Sequence, residues 1–167
     1  RITTWNLQWF PNGSAHDAES EQQKHNIEAA ADVLRPLDPD ILLLQEVRDL
    51  DSCQRLADAI QPNTYQVAIC SKFNGHQQEA ILARGAARAA FSERWKSVGE
   101  VNPPRGFAFA WFAVGGIDVG VYSVHLKSNL GASGSESANL ANIQKREAAT
   151  KQLLEHINGA IAEQMPA

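Results

Sequence analysis

The chain has 167 residues, 44% of them hydrophobic and 20% charged, and a formal net charge of −4. That suffices for one ordinary domain with a sizeable core and excludes a disordered or low-complexity chain. No apolar run is long enough for a transmembrane helix, and no global basic field marks a nucleic-acid binder, so any phosphate site has to be local.

Ile2–Trp5, β-branched and aromatic, predicts a strand almost at the start, and Trp9-Phe10-Pro11-Asn12-Gly13 reads as its end running into a turn. Ser20 and Gln23 fit a capping box. Behind them Ile27, Ala30, Ala31 and Leu34 share one helical face, with Pro36 as the stop. Asp38-Pro39-Asp40 is turn chemistry feeding Ile41–Leu44, a continuous apolar run that suits a strand buried on both faces. A second helix is predicted over Ser52–Ile60. Strands follow at Tyr65–Cys70, Ala80–Ala83, Phe107–Val114 and Ile117–Val124, the last two joined by a Gly115-Gly116 hairpin turn. Large and small residues alternate from Phe107, as on a strand with one crowded face. Gly131–Ser137 predicts a mobile loop, and a long helix follows over Ala138–Glu163, with Ile143, Leu153, Leu154, Ile157 and Ile161 at helical spacing. The order β-α-β-α, then a run of strands, then a helix points to a mixed sheet with helices packed on it. No repeat or interdomain linker interrupts it. Cys53 and Cys70 are too few for a disulfide framework; one bridge and two free thiols are both open. The chain opens on Arg1 rather than Met, which implies a segment upstream and leaves the compartment open.

Several polar residues stand at strand ends. Asn6 follows the first strand, where an Asn commonly bonds its own backbone. Glu46 closes the apolar run, and a carboxylate there needs a positive partner: an arginine such as Arg48, or a cation held by oxygen ligands. His125 closes the last strand, and Lys127, two residues on, points to the same side if the strand continues. Together they suit an anionic oxygen, with His125 able to carry the proton. Asn129 adds a polar group before the Gly-rich loop. Arg105, stiffened by Pro103-Pro104, suits a fixed phosphate contact as well as a solvated loop position. Gln77, Gln78 or Glu79 is available to orient His125.

Taken together, Thr4-Trp5-Asn6-Leu7, Asp40–Val47 with its Gln45-Glu46 pair, Pro-Pro-Arg105 and Ser123-Val-His-Leu-Lys-Ser-Asn129 resemble the endonuclease/exonuclease/phosphatase superfamily along essentially the whole chain. The resemblance implies an α/β fold, a four-layered α/β/β/α sandwich, and a metal-dependent phosphoester hydrolase in which water attacks phosphorus in line. By that resemblance Glu46 is the acidic ligand of a divalent cation, Mg2+ or alternatively Mn2+ or Ca2+. Asn6 sits beside the metal, and His125 contacts the scissile phosphate. Arg105, Lys127 and Asn129 are substrate contacts. The implied partner is a phosphodiester, nucleic acid first; a lipid or small phosphoester is the alternative substrate.

The sequence departs from the family in one respect. Its Gly-Asp-X-Asn motif and its later Asp-His pair, which works with the attacking water, have no counterpart in these 167 residues. The expectation is an N-terminal portion of such a domain, inactive alone. With Phe107–Phe112 left uncovered, it would need the remaining half or self-association. Two other readings compete: a non-catalytic binding module of the same fold, tolerant of change at Glu46 and His125, and an unrelated α/β domain, in which Asn6, Glu46 and His125 lie far apart.

Overall fold

A computed structural model describes residues 1–129 and 135–164. The chain divides into two compact units, one of Arg1–Glu93 and Phe107–His125, the other of Arg94–Gly106 and Leu126–Ala167.

The first unit holds β1 (Ile2–Phe10), α1 (Ser20–Leu37), β2 (Ile41–Val47), α2 (Leu50–Ala59), β3 (Gln66–Cys70) and β4 (Gln78–Ala83). It also holds most of β5 (Ala89–Arg94) and β6 (Gly106–Val114), and all of β7 (Ile117–Val124). These strands make two sheets, in the orders β1-β2-β4-β3 and β5-β6-β7. β1 is parallel to β2 and the other pairs of the first sheet are antiparallel. Element order alone pointed to one mixed sheet; the two sheets observed are those of the sandwich implied by the family resemblance. β5 escapes sequence reading because Ala-Ala-Phe-Ser-Glu-Arg carries no strand signal of its own; pairing with β6 makes it a strand.

One face of the first sheet packs on α1 and α2 through Ile27, Ala31, Leu34, Leu42, Leu44, Leu56 and Leu82. The other packs on the second sheet, where Ile41, Ile81 and Ala83 meet Ala108, Ala110, Phe112 and Val121. β2 is thus covered on both sides, as its continuous apolar run predicts. Full burial of each Leu in these layers contributes about 1.5–3 kcal/mol. The alternation in β6 sorts its two faces. Its alanines let the sheets approach, and Phe107, Phe109 and Trp111 turn the other way into an aromatic cluster with Phe91 and Tyr122. Phe107 and Phe109 are buried, so the exposed patch expected over Phe107–Phe112 does not exist.

Three boundary expectations also change. No side chain caps α1: Glu19 is its N-cap residue, and the Gln23 amide bonds Asn12 and the Ala18 carbonyl instead of closing a box with Ser20. The helix runs through Pro36 and stops at Asp38, left-handed at φ 48°. α2 starts at Leu50, earlier than expected, because Asp49 accepts from the Ser52 N–H and hydroxyl.

The second unit carries α3 (Glu136–Gln164). It begins inside the expected Gly131–Ser137 loop because the Ser135 hydroxyl caps the Ala138 N–H; residues 130–134 of that loop lie outside the described residues. Among the described side chains of α3, Asn142 and Ala149 are buried, whereas Leu154 is exposed and Ile143, Leu153 and Ile157 are half-buried. The side chain of Ile161 lies outside the described residues. The Gln152 amide ties α3 to the Lys96 backbone, its oxygen accepting from the N–H and its nitrogen donating to the carbonyl.

Candidate active site

The bulge within β1, the end of β2 and the residue after β7 come together in the first unit, so that Asn6 lies inside β1 and not after it. Both registers around Glu46 slip: β1 against β2 between Asn6 and Phe10, and β2 against β4 between Gln45 and Val47. Glu46 sits in the slip with φ 60°, and opposite it Gln8 and Trp9 are left-handed at φ 51° and 58°. Non-glycine residues rarely adopt this region, and bulges of this kind re-aim side chains at strand ends. The result frees Glu46 from the pleat and turns its carboxylate to Asn6.

The Asn6 amide donates to Glu46 Oε1 at 3.0 Å, and the Trp9 N–H donates to Oε2 at 3.2 Å. The Gln8 N–H donates to Asn6 Oδ1 at 3.0 Å, and since an N–H needs an acceptor, this bond sets which way the amide faces. His125 Nε2 lies 3.5 Å from Glu46 Oε1, and the two side chains are only 17% and 12% exposed. Asn6, Glu46 and His125 thus meet within one small volume. An unrelated domain that holds these residues far apart does not describe this chain.

Arg48 is not the partner of Glu46. It pairs with Asp49 at 2.8 Å and with Asp17 at 3.8 Å. Among the described residues, the one basic group within ion-pairing distance of Glu46 is His125. The carboxylate is therefore held mainly by neutral donors, and its charge remains available to a cation. Among the described residues, no three His, Cys, Asp or Glu cluster as a metal site. A cation at Glu46 would draw most of its shell from water and substrate oxygens, which is the habit of Mg2+. The donor set fits a hard cation of that kind.

Sequence reasoning missed the clamp beneath the site. The Gln45 amide, buried among apolar neighbours, donates to the Ser123 hydroxyl at 2.8 Å, and that hydroxyl donates to the Leu44 carbonyl at 2.9 Å. This joins the two sheets one residue before Glu46 and two before His125. Gln45 at the close of the buried apolar run of β2 was the available signal; Ser123 gave none, since β7 carries other polar residues. Gln78 does not orient His125: its amide staples the loop at Phe73 and Gly75 and accepts from Ser71. Glu79 is fully buried and bonds Ser71.

β7 ends at Val124, so the strand continuation that would align Lys127 with His125 does not occur. Arg105, Lys127 and Asn129 belong to the second unit. There Arg105, left-handed at φ 65°, donates to the Leu126 carbonyl at 3.2 Å. Lys127 Nζ donates to the Ser128 carbonyl at 2.9 Å. Arg146 holds this segment, donating to Asn129 Oδ1 at 2.7 Å and to the Lys127 carbonyl at 3.1 Å. The thiols of Cys53 and Cys70 are free and buried.

The fold is that of the endonuclease/exonuclease/phosphatase superfamily. TDP2 from Caenorhabditis elegans superposes with a TM-score of 0.68 at 20% identity, over 99% of this chain and 44% of that one. An endonuclease/exonuclease/phosphatase family protein from Leptotrichia buccalis gives a TM-score of 0.58 at 17% identity, over 87% of this chain and 60% of that one. SmcL gives 0.56 at 15% identity, over 99% and 58%. The chain thus spans about half the length of the solved structures it matches. No family model matches it, and no curated protein matches it in sequence.

Proposed function

We propose that this chain carries the metal- and phosphate-binding part of a phosphoester hydrolase, with a nucleic-acid phosphodiester as substrate. The observation that supports this is the meeting of Asn6, Glu46 and His125: Asn6 lies within β1 at its bulge rather than after the strand, Glu46 near the end of β2, and His125 just after β7. Glu46 would hold a divalent cation, Mg2+ or its substitutes Mn2+ and Ca2+, which supplies charge stabilisation on a phosphoryl oxygen when bound. Asn6 acts as a positioning residue: its nitrogen fixes one carboxylate oxygen while its own oxygen is engaged by Gln8. His125, protonated at Nε2, donates to a phosphoryl oxygen as water attacks phosphorus in line. Arg105, Lys127 and Asn129 are proposed substrate contacts, with Lys127 supplying an ammonium bonded only to a neutral carbonyl among the described residues.

The 167 residues contain neither the Gly-Asp-X-Asn nor the Asp-His motif expected to work with the attacking water, and losing one member of a concerted set typically costs several orders of magnitude in rate. Hydrolysis of an oligonucleotide by this chain with Mg2+ is expected to stay at blank level. The direct test is therefore binding. Mn2+ titration followed by electron paramagnetic resonance should show a bound ion that Glu46→Gln releases, with binding weakened at least tenfold. Equal affinity in both proteins overturns Glu46 as a ligand. Robust turnover abolished by Glu46→Gln would uphold the site and overturn the expected inactivity.

A further inference from the structure

We infer that Cys53 and Cys70 form a redox-active dithiol, which a small hydroperoxide converts to an intramolecular disulfide with Cys70 reacting first. The inference is independent of the proposed activity. The chain has two cysteines, and the fold brings them together from different elements. Cys53 lies near the start of α2, and Cys70 is the last residue of β3. α2 packs on β3, and both thiols are free, buried neighbours in one apolar cluster. A single buried cysteine is ordinary inert packing. Two neighbouring thiols have a reaction open to them that neither has alone, and no third thiol is present to compete for it.

The pair is asymmetric. Cys53 is 0% exposed, whereas Cys70 is 8% exposed and lines a cavity of about 490 Å3 together with Asp49, Leu50, Ile69 and Lys72. A water takes up roughly 30 Å3 in the liquid, so hydrogen peroxide, little larger, reaches Cys70 with room to spare. An aromatic disulfide carries a ring on each sulfur and has no such access to so enclosed a thiol. The neighbouring Cys53 thiol holds Cys70 below the ordinary thiol range, against burial and Asp49, and the Lys72 ammonium adds to this. The thiolate is the nucleophile, so Cys70 is the attacking group and Cys53, fully enclosed, the resolving one.

In the first step the Cys70 thiolate attacks one peroxide oxygen. An S–O bond forms, the O–O bond breaks, and the leaving hydroxide takes up a proton as water. Cys70 is then a sulfenic acid. In the second step the Cys53 sulfur attacks the Cys70 sulfur. The S–S bond forms, the S–O bond breaks, and the hydroxide leaves as water with the Cys53 proton. The two sulfurs supply the two electrons that reduce the peroxide to two waters. The bridge ties the start of α2 to the end of β3, and a dithiol reductant reopens it.

The test is exposure of the native chain to hydrogen peroxide, followed by alkylation in denaturant and peptide mapping by mass spectrometry. The cysteines are expected to lose two hydrogen atoms, to yield one peptide pair joined through Cys53 and Cys70, and to return as thiols with dithiothreitol. Cys53→Ala should stop at the sulfenic acid, trapped at Cys70 by dimedone. In Cys70→Ala, Cys53 should oxidise more slowly than Cys70 does in Cys53→Ala, by about tenfold or more. The wild-type mapping decides even if a variant fails to fold. Both thiols alkylated after exposure, a bridge between two chains, or oxidation only once urea unfolds the chain would each overturn the inference. So would Cys53 reacting as fast without Cys70.

Discussion

Glu46 owes its position to a single irregular residue. Set in the pleat, its side chain would alternate with Gln45 and Val47; the left-handed turn at φ 60° lifts it out and aims it at Asn6. The site then depends on neighbours that touch no substrate. Ser123→Ala removes the nearest of three acceptors of the Gln45 amide, which keeps the Leu43 carbonyl at 3.1 Å and the Thr4 hydroxyl at 3.3 Å, and the loss of one such hydrogen bond costs about 0.5–1.5 kcal/mol. Urea unfolding should show that loss, and Mn2+ binding at Glu46 should weaken with it as the sheets lose their clamp. Asp49 makes a separate, titratable contribution. Burial pushes its carboxyl up, but the Ser52 hydroxyl and N–H and the Arg48 guanidinium more than offset this and hold it below the ordinary 3.8. A depressed folded-state value means the ionised form stabilises the fold at pH above the ordinary value, and the contribution fades as pH falls through the folded value. Asp49→Ala should cost about 1 kcal/mol at neutral pH, and chemical denaturation at falling pH should show the gap to wild type closing below about pH 4.

Among the elements, β6 and β7 show how composition decides a layer. Ala108 and Ala110 let the sheets close while the aromatic residues of β6 stack on the opposite face. Gly120 belongs to that stacking: a Cβ there would lie 2.9 Å from Phe109 Cε2 and 3.3 Å from Cζ. The Phe109 ring is itself held between Phe91, Trp111 and Tyr122, so it has little room to yield. Gly120→Ala should lower stability by about 1–3 kcal/mol, the usual cost of overpacking. A melting temperature at or above wild type would contradict this packing. The helices make the complementary point. α1 begins without a side-chain cap and is held by tertiary burial of Ile27, Ala31 and Leu34, whereas α2 and α3 begin where Asp49 and Ser135 bond the first turn.

At the scale of the molecule, the core across α2 and β3 encloses both thiols. Cys53 and Cys70 belong to one apolar cluster, and the neighbouring Cys70 thiol together with burial pushes the Cys53 thiol well above its usual range. Neither should react with an aromatic disulfide reagent in the native protein, and both should react once denaturant unfolds it. Fast native labelling of Cys53 would mean that α2 opens on its own.

Periodicity and turn chemistry alone marked out α1, β2, α2 and the β6–β7 hairpin, because a buried strand or an amphipathic helix writes its environment into local composition. Glu46 and His125 stood out as polar groups closing apolar strands, whereas Asn6 and the role expected of each of the three were legible only through the family resemblance. Other features required the tertiary structure. β5 is a strand only because β6 pairs with it, and the capping box at Ser20 and Gln23 gave way to a better set of partners for Gln23 at Asn12 and Ala18. The split into two sheets, the Gln45–Ser123 clamp and the displacement of Arg48 from Glu46 to Asp49 all depend on residues distant in sequence. Local sequence determines which face of an element is apolar. Which polar atoms meet is decided when the faces pack, since a hydrogen bond needs both partners within about 3 Å.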